Sequence, residues 1–185
     1  LDTATFSLFF ALLAVFGLAV LAVAAALAGY RAATGQLPAP LRGVLPTVSQ
    51  AALPVAFGVS LTATLGSLYY SEVANFEPCR LCWYQRIAMY PLVVLLGVAW
   101  LRRDPAVRRY GSPLAAIGLG IAVVHRLEQQ FPGTAPVACP ADVPCWARYV
   151  EEFGWVTIPT MAAVAFGLVL LLLSLARPAA KEVSP

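Results

Sequence analysis

The sequence predicts an all-α integral membrane protein, a bundle of five membrane-spanning helices. Three observations lead there. Of the 185 residues, 61% are hydrophobic and only 11% are charged, far outside the range of a soluble globular domain. Five stretches are apolar enough and long enough to cross a bilayer, which takes about 20 residues of helix. They run approximately 4–29, 51–72, 84–101, 112–130 and 155–175. The basic residues between them fall mostly on one side. The cysteines are too few, and the chain too apolar, for a disulfide-dense secreted scaffold. No basic run interleaved with aromatics offers a nucleic-acid surface, so no nucleic-acid partner is expected.

The first span carries no charge. It lacks the basic leader of a signal peptide and its apolar run is too long for one, so residues 1–30 read as a retained N-terminal transmembrane helix. Residues 31–50 follow as a cytoplasmic linker, where Pro38, Pro40 and Pro46 favour an extended segment over a helix. That linker would leave the first span peripheral. Residues 51–175 hold the other four spans. Pro91 and Pro159 lie inside spans, where neighbouring helices can satisfy the freed carbonyls. Residues 176–185 form a cytoplasmic tail.

Charge orients the bundle. Arg31, Arg42, Arg102, Arg103, Arg108, Arg109, Arg177 and Lys181 fall on one side, opposed only by Asp104 and Glu182. The other side carries Arg80, Arg86, Arg126 and Arg148 among a larger set of acidic residues. The excess of Lys and Arg marks the first side as cytoplasmic. The N-terminus and residues 73–83 and 131–154 then face outward, and Trp83, Tyr84, Trp146, Tyr149 and Trp155 form an interfacial belt there.

Cys79, Cys82, Cys139 and Cys145 all fall on the outward side, where disulfides persist. Cys79-Arg-Leu-Cys82 places two thiols at the start of a helix, whose unpaired N–H groups and dipole stabilise a thiolate. Cys139 and Cys145 sit in a short polar loop with Pro140, Asp142 and Pro144, reachable from water. Two structural disulfides stapling a membrane scaffold would also explain four cysteines. A zinc site would need four converging thiolates, and C-x2-C followed by C-x5-C is a loose match, so no metal is expected.

Arg86 stands one helical turn after Cys82, just inside the apolar segment. A guanidinium there is a functional candidate, for a thiolate or a quinone carbonyl, unless it snorkels to the headgroups. His125, with Gln129 one turn on, offers a polar face at the same depth for a quinone headgroup; a hydrogen-bonded core histidine is the plainer reading. Arg126 and Glu128 read as a solvated interfacial edge, and Met89 and Met161 as ordinary packing.

The run PCRLCWYQR at 78–86 resembles the signature of the bacterial DsbB/BdbC disulfide-generating membrane proteins. ACPADVPCWARYVEEFGWVTIPTMA at 138–162 is similar to the second cysteine loop and following helix of the BdbC-like branch, and HRLEQ at 125–129 to the family's His-x-x-x-Gln. The resemblance covers residues 51–175. It implies a DsbB-like four-helix transmembrane bundle with one extra N-terminal helix, acting as a thiol:quinone oxidoreductase that drives disulfide formation in extracytoplasmic proteins. A DsbA-like thioredoxin-fold oxidase would be reoxidised by the Cys139–Cys145 disulfide. Cys139 would be attacked by that partner, Cys145 would exchange with Cys79, and Cys82 would meet a ubiquinone or menaquinone. Arg86, His125 and Gln129 would contact the quinone. The implied location is the bacterial cytoplasmic (inner) membrane, in contact with lipid and the quinone pool, with N-terminus and both cysteine loops extracytoplasmic. Two features depart from the family: the first span is extra, and the second loop is short, so its approach to Cys79 must come from the whole of 131–154. A vitamin K epoxide reductase-like enzyme is the nearest alternative, but there the loop cysteines precede the CxxC pair.

Overall fold

The structure, a computed structural model, describes residues 2–135, 137 and 139–176, without the side chains of Ala39 and Pro105. Arg177, Lys181 and Glu182 of the expected tail lie outside the described residues. Among the described residues, five helices are long and apolar enough to cross a membrane. They are α1 (Thr3–Thr34), α2 (Ala39–Leu68, extended by a π-helical turn at Tyr69–Val73), α3 (Arg80–Arg102), α4 (Arg108–Gln130) and α5 (Ile158–Leu175). A short hairpin, β1 (Glu151–Glu152) and β2 (Val156–Thr157), lies between α4 and α5.

Local signals set the helix ends. The Asp2 carboxylate accepts the Thr5 N–H at 3.1 Å and caps α1, an arrangement that lowers the pKa of Asp2 through its bonds to Thr5. Gly35 ends α1 in the left-handed conformation at φ 71°, which glycine adopts without steric cost. The expected extended linker is a tight turn instead. Arg42 closes it, donating from Nε to the Leu37 carbonyl at 2.9 Å and from Nη2 to the Gln36 side chain at 3.0 Å. Helix resumes at Ala39 and runs through residues 39–50. Pro40 falls in the first turn, where a backbone N–H has no partner to lose, and Pro46 is accommodated within the helix. Likewise α5 starts at Ile158, not at 155. Pro159 therefore sits in a first turn rather than inside a span, and Val156 and Thr157 belong to the hairpin.

The last four helices pack in a ring, α2 on α3, α3 on α4, α4 on α5 and α5 on α2, around Leu92, Leu96, Phe166, Val169 and Leu173. Lipid provides no hydrophobic drive between helices, so close approach at small residues has to supply the contact. Gly118 of α4 is such a point, because a Cβ there would collide with the Phe166 ring of α5. The first helix is not peripheral. It docks on α5, where Gly17 lies directly against Val164 and Leu168, and on the end of α2, where Phe6 stacks on Tyr69 at 3.5 Å. Val156 of the hairpin buries against Ala11 and Ala14 of α1.

Gly118→Ala is expected to lower the stability of the purified protein by about 1–3 kcal/mol, the usual cost of overpacking a filled interface. The midpoint of thermal unfolding in detergent measures it. Gly120→Ala on the same helix has open space around the added methyl and is expected to leave that midpoint in place.

Candidate active site at the cysteine end of the bundle

The helix start at CRLC determines the first half of the site. Cys79 is itself the cap of α3, with extended backbone (φ −65°, ψ 169°), and its Sγ accepts the Cys82 N–H at 3.4 Å. The i, i+3 spacing brings the two Sγ atoms to 3.0 Å, and both are free thiols. The sulfur–sulfur hydrogen bond outweighs burial and, with His125 alongside, holds the Cys79 thiol down to about 4.

The second half is the loop after α4. Cys139 and Cys145 form a disulfide, and the two ends differ in exposure. Cys145 is 1% exposed in a buried cluster with Cys79, Leu81 and Val143, whereas Cys139 is only partly buried. The loop expected to be reachable from water therefore buries Cys145 and leaves Cys139 partly exposed. Glu128 ties the loop to α4. Its carboxylate accepts from the Gly133 and Ala135 N–H groups at 2.9 and 2.7 Å and from the Thr134 hydroxyl at 3.3 Å. Glu128 is thus a buried loop anchor rather than part of a solvated edge. Arg148 adds a second tie, to the Gln129 carbonyl at 2.9 Å and to Glu151 at 2.8 Å.

His125 of α4 stands between the halves. Its Nε2 lies 3.0 Å from the Cys145 carbonyl oxygen and 3.6 Å from Cys79 Sγ, and its Nδ1 lies 2.9 Å from the Gln85 amide nitrogen. An amide nitrogen only donates and a carbonyl only accepts, so both neighbours require the same tautomer, with the proton on Nε2. Gln85 was not among the residues singled out from the sequence. The available signal was a polar side chain one turn after Cys82, facing the same way.

Arg86 turns inward. It donates from Nε to Ser67 Oγ at 3.0 Å and from Nη2 to the Ser67 carbonyl at 2.9 Å, while the Trp83 ring packs 5.1 Å from its guanidinium carbon. Tyr90 joins this network through Ser67 Oγ at 3.4 Å. The π-helical turn begins just beyond Ser67, and nothing in the sequence pattern announces it.

Two hollows meet at Cys82. A cavity of about 570 Å³ between α1, α2, α3 and α5 has Ser67, Tyr70, Cys82, Gln85 and Arg86 at one end and, but for Thr62, apolar and aromatic residues along the rest. A crevice of about 10 Å³, room for about one water-sized sphere, is lined by Cys79, Cys82, His125, Gln129 and Tyr149. Gln129 donates to the Ala147 carbonyl at 3.2 Å, and its buried Oε1 has no protein partner. Of the residues expected to contact one ligand, Arg86 therefore faces the cavity, while His125 and Gln129 face the crevice. The Cys79 and Cys82 sulfurs and a ring nitrogen of His125 lie within 4.8 Å of one another, so they could also supply three ligands to a soft metal ion.

Comparison with known proteins finds relatives of the chain. The family model for disulfide bond formation protein DsbB matches residues 49–176. Disulfide bond formation protein C of Bacillus subtilis is 48% identical over 118 residues, covering 63% of this chain and 86% of that protein. A probable disulfide formation protein of Deinococcus radiodurans is 46% identical over 131 residues, covering 66% and 86% of the two chains. No solved structure matches.

With Cys79 held to about 4, its thiolate persists at every pH above that value and is lost only as pH falls through it. The ultraviolet thiolate absorbance of the reduced CxxC pair is expected to stay level from about pH 8 down to about pH 5. Loss with a midpoint near that of free cysteine, about 8.5, would contradict the assignment.

Proposed function

This chain belongs to the DsbB family of disulfide bond formation proteins, and on that premise we propose that it oxidises a DsbA-like thioredoxin-fold partner and passes the electrons to a membrane quinone. Membrane disulfide oxidation is the activity the family carries. The family is the one whose CxxC pair comes first, not the vitamin K epoxide reductase-like alternative. The observation that supports the finer reading best is the position of Cys82, which borders both the crevice beside Cys79 and His125 and the long cavity with Arg86 at its polar end.

The residues fit a quinone. The cavity is within the usual volume of small-molecule sites, about 300–1,000 Å³, and a guanidinium at its end can donate to a carbonyl oxygen. A bound quinone supplies an acceptor for two electrons and two protons. The chain's own residues do the rest by thiol–disulfide exchange. A partner thiolate attacks Cys139, the more accessible sulfur, and the Cys139–Cys145 bond breaks with Cys145 leaving as thiolate. The partner's second thiolate then displaces Cys139, so the partner departs oxidised and both loop cysteines are reduced. Cys145 next attacks Cys79 in a Cys79–Cys82 disulfide, releasing Cys82 as thiolate, and Cys139 resolves the mixed bond. The loop disulfide is restored and the CxxC pair holds two electrons. This is the pairing present in the structure, with the loop bridged and Cys79 and Cys82 free. His125 holds the Cys145 backbone beside Cys79, and its Nε2 N–H lies close enough to the Cys79 sulfur to stabilise it as thiolate when Cys139 resolves the mixed bond. Gln85, bonded to His125 Nδ1 and lining the cavity, connects the two sides. Gln129 offers its open Oε1 to a proton-bearing group or water in the crevice.

A lipid-soluble oxidant answers a thermodynamic need. DsbA-type oxidases sit at about −120 mV, above disulfide isomerases at about −180 mV, so an ordinary protein disulfide cannot regenerate them downhill.

Purified protein given a reduced thioredoxin-fold partner and a soluble quinone is expected to consume quinone and partner dithiol in equal amounts. Cys82→Ser is expected to abolish quinone consumption. Arg86→Ala is expected to weaken apparent quinone affinity by about tenfold to a hundredfold, the loss of a charge-assisted hydrogen bond. An absence of quinone consumption across several quinones and partners would refute the proposal.

A further inference from the structure

Helix α1 lies outside the residues 49–176 that match the family, yet it forms one wall of the cavity that reaches Cys82. Phe10, Leu13, Ala14, Gly17 and Val20 line it, and this spacing is one continuous stripe along a helix. The stripe is held in place. Phe10 covers Gly66 of α2, Gly17 lies against Val164 and Leu168 of α5, and the buried Tyr70 hydroxyl bonds to Ser7 Oγ at 3.3 Å. Phe9 and Leu12, more than half exposed, point away from the bundle.

The cavity has one polar end. Beyond Ser67, Tyr70, Gln85 and Arg86, its lining along α2 is apolar but for Thr62 as far back as Val55, about 18 Å of helix at roughly 1.5 Å per residue. A ligand that suits it has a compact polar head and a long hydrocarbon tail. The tail would lie between α1 and α2, along α5, where the four-helix ring alone would leave it open to lipid.

We infer that α1 completes a channel for the isoprenoid tail of the quinone, and that Leu13, Ala14 and Gly17 help to set which tails it admits. The inference rests on the quinone reading above and adds a binding surface that the matched family region does not contain. A phospholipid acyl chain is the competing occupant of the same space.

The test compares two quinones with the same ring, one with a long isoprenoid tail and one without, using the full-length chain and a reduced thioredoxin-fold partner. The readout is the ratio of kcat/KM for the tailed over the tail-less compound. Ala14→Phe on α1 and Ala63→Phe on α2 both fill the channel, and each is expected to lower that ratio by about tenfold or more, the effect of overpacking a filled site. Leu12→Phe, on the exposed face of α1, is expected to leave it unchanged. A fall for Ala63→Phe alone would overturn the role of α1. An unchanged ratio for both filling variants would assign the channel to lipid. If the wild-type chain consumed neither quinone, the proposed function would fail and this inference with it. A photoreactive group on the quinone tail tests the wild-type chain without any substitution. Labelling of residues 10–20 is expected, and labelling confined to α2–α5 would contradict the inference.

Discussion

The site depends on one shared proton position, Nε2 of His125. This nitrogen meets the Cys145 carbonyl at 3.0 Å and approaches Cys79 Sγ at 3.6 Å, so a single side chain joins α4, the second cysteine loop and the first turn of α3. The tautomer is fixed from the other side of the ring by Gln85 of α3. Loss of the imidazole would leave a buried carbonyl and a buried amide without partners, each a cost of about 1–3 kcal/mol. The same loss would remove one of the ties that hold the loop to α4. Stability and chemistry are coupled here through one hydrogen-bonded group.

Around that group the helices divide the work. Cys79 occupies the cap of α3, where backbone N–H groups favour a thiolate, and faces the loop. Cys82 lies one turn further in and faces the apolar interior of the bundle, beside Gln85 and Arg86. Arg86 is held by both the hydroxyl and the carbonyl of Ser67. These bonds keep the guanidinium at the polar end of the cavity instead of extended to the headgroups. The CxxC spacing thus does more than pair two thiols. It sets one sulfur toward the loop disulfide and the other toward the apolar cavity.

Much of this was legible in the sequence because composition and spacing carry it. Five apolar stretches of spanning length located the five helices, and the CRLC run with Arg86 and the C-x5-C loop led to the family that the comparison then established. What was not legible depends on side chains that meet only after packing. Pro38, Pro40 and Pro46 suggested an extended linker, but a first-turn proline costs a helix nothing, and the Arg42 clamp on Leu37 and Gln36 is a contact no periodicity encodes. Glu128 looked like a solvated charge because its partners are backbone N–H groups of a loop that has no pattern of its own. Ser67 gave no signal as a small hydroxyl in an apolar run, and the π-helical turn beside it gave none either. The first helix carried a clear spanning signal but no hint that Gly17 and Phe10 would seat it against α5 and α2.

The central claim is that the two cysteine pairs exchange directly across His125, and disulfide trapping tests it most directly. In a chain carrying both Cys82→Ser and Cys139→Ser, only Cys79 and Cys145 remain. They belong to one buried cluster. Mild oxidation followed by non-reducing peptide mass spectrometry is predicted to yield a Cys79–Cys145 disulfide within single chains, formed more slowly when His125 is replaced by alanine. Recovery of both residues as free thiols, or linked only between chains, would contradict the account.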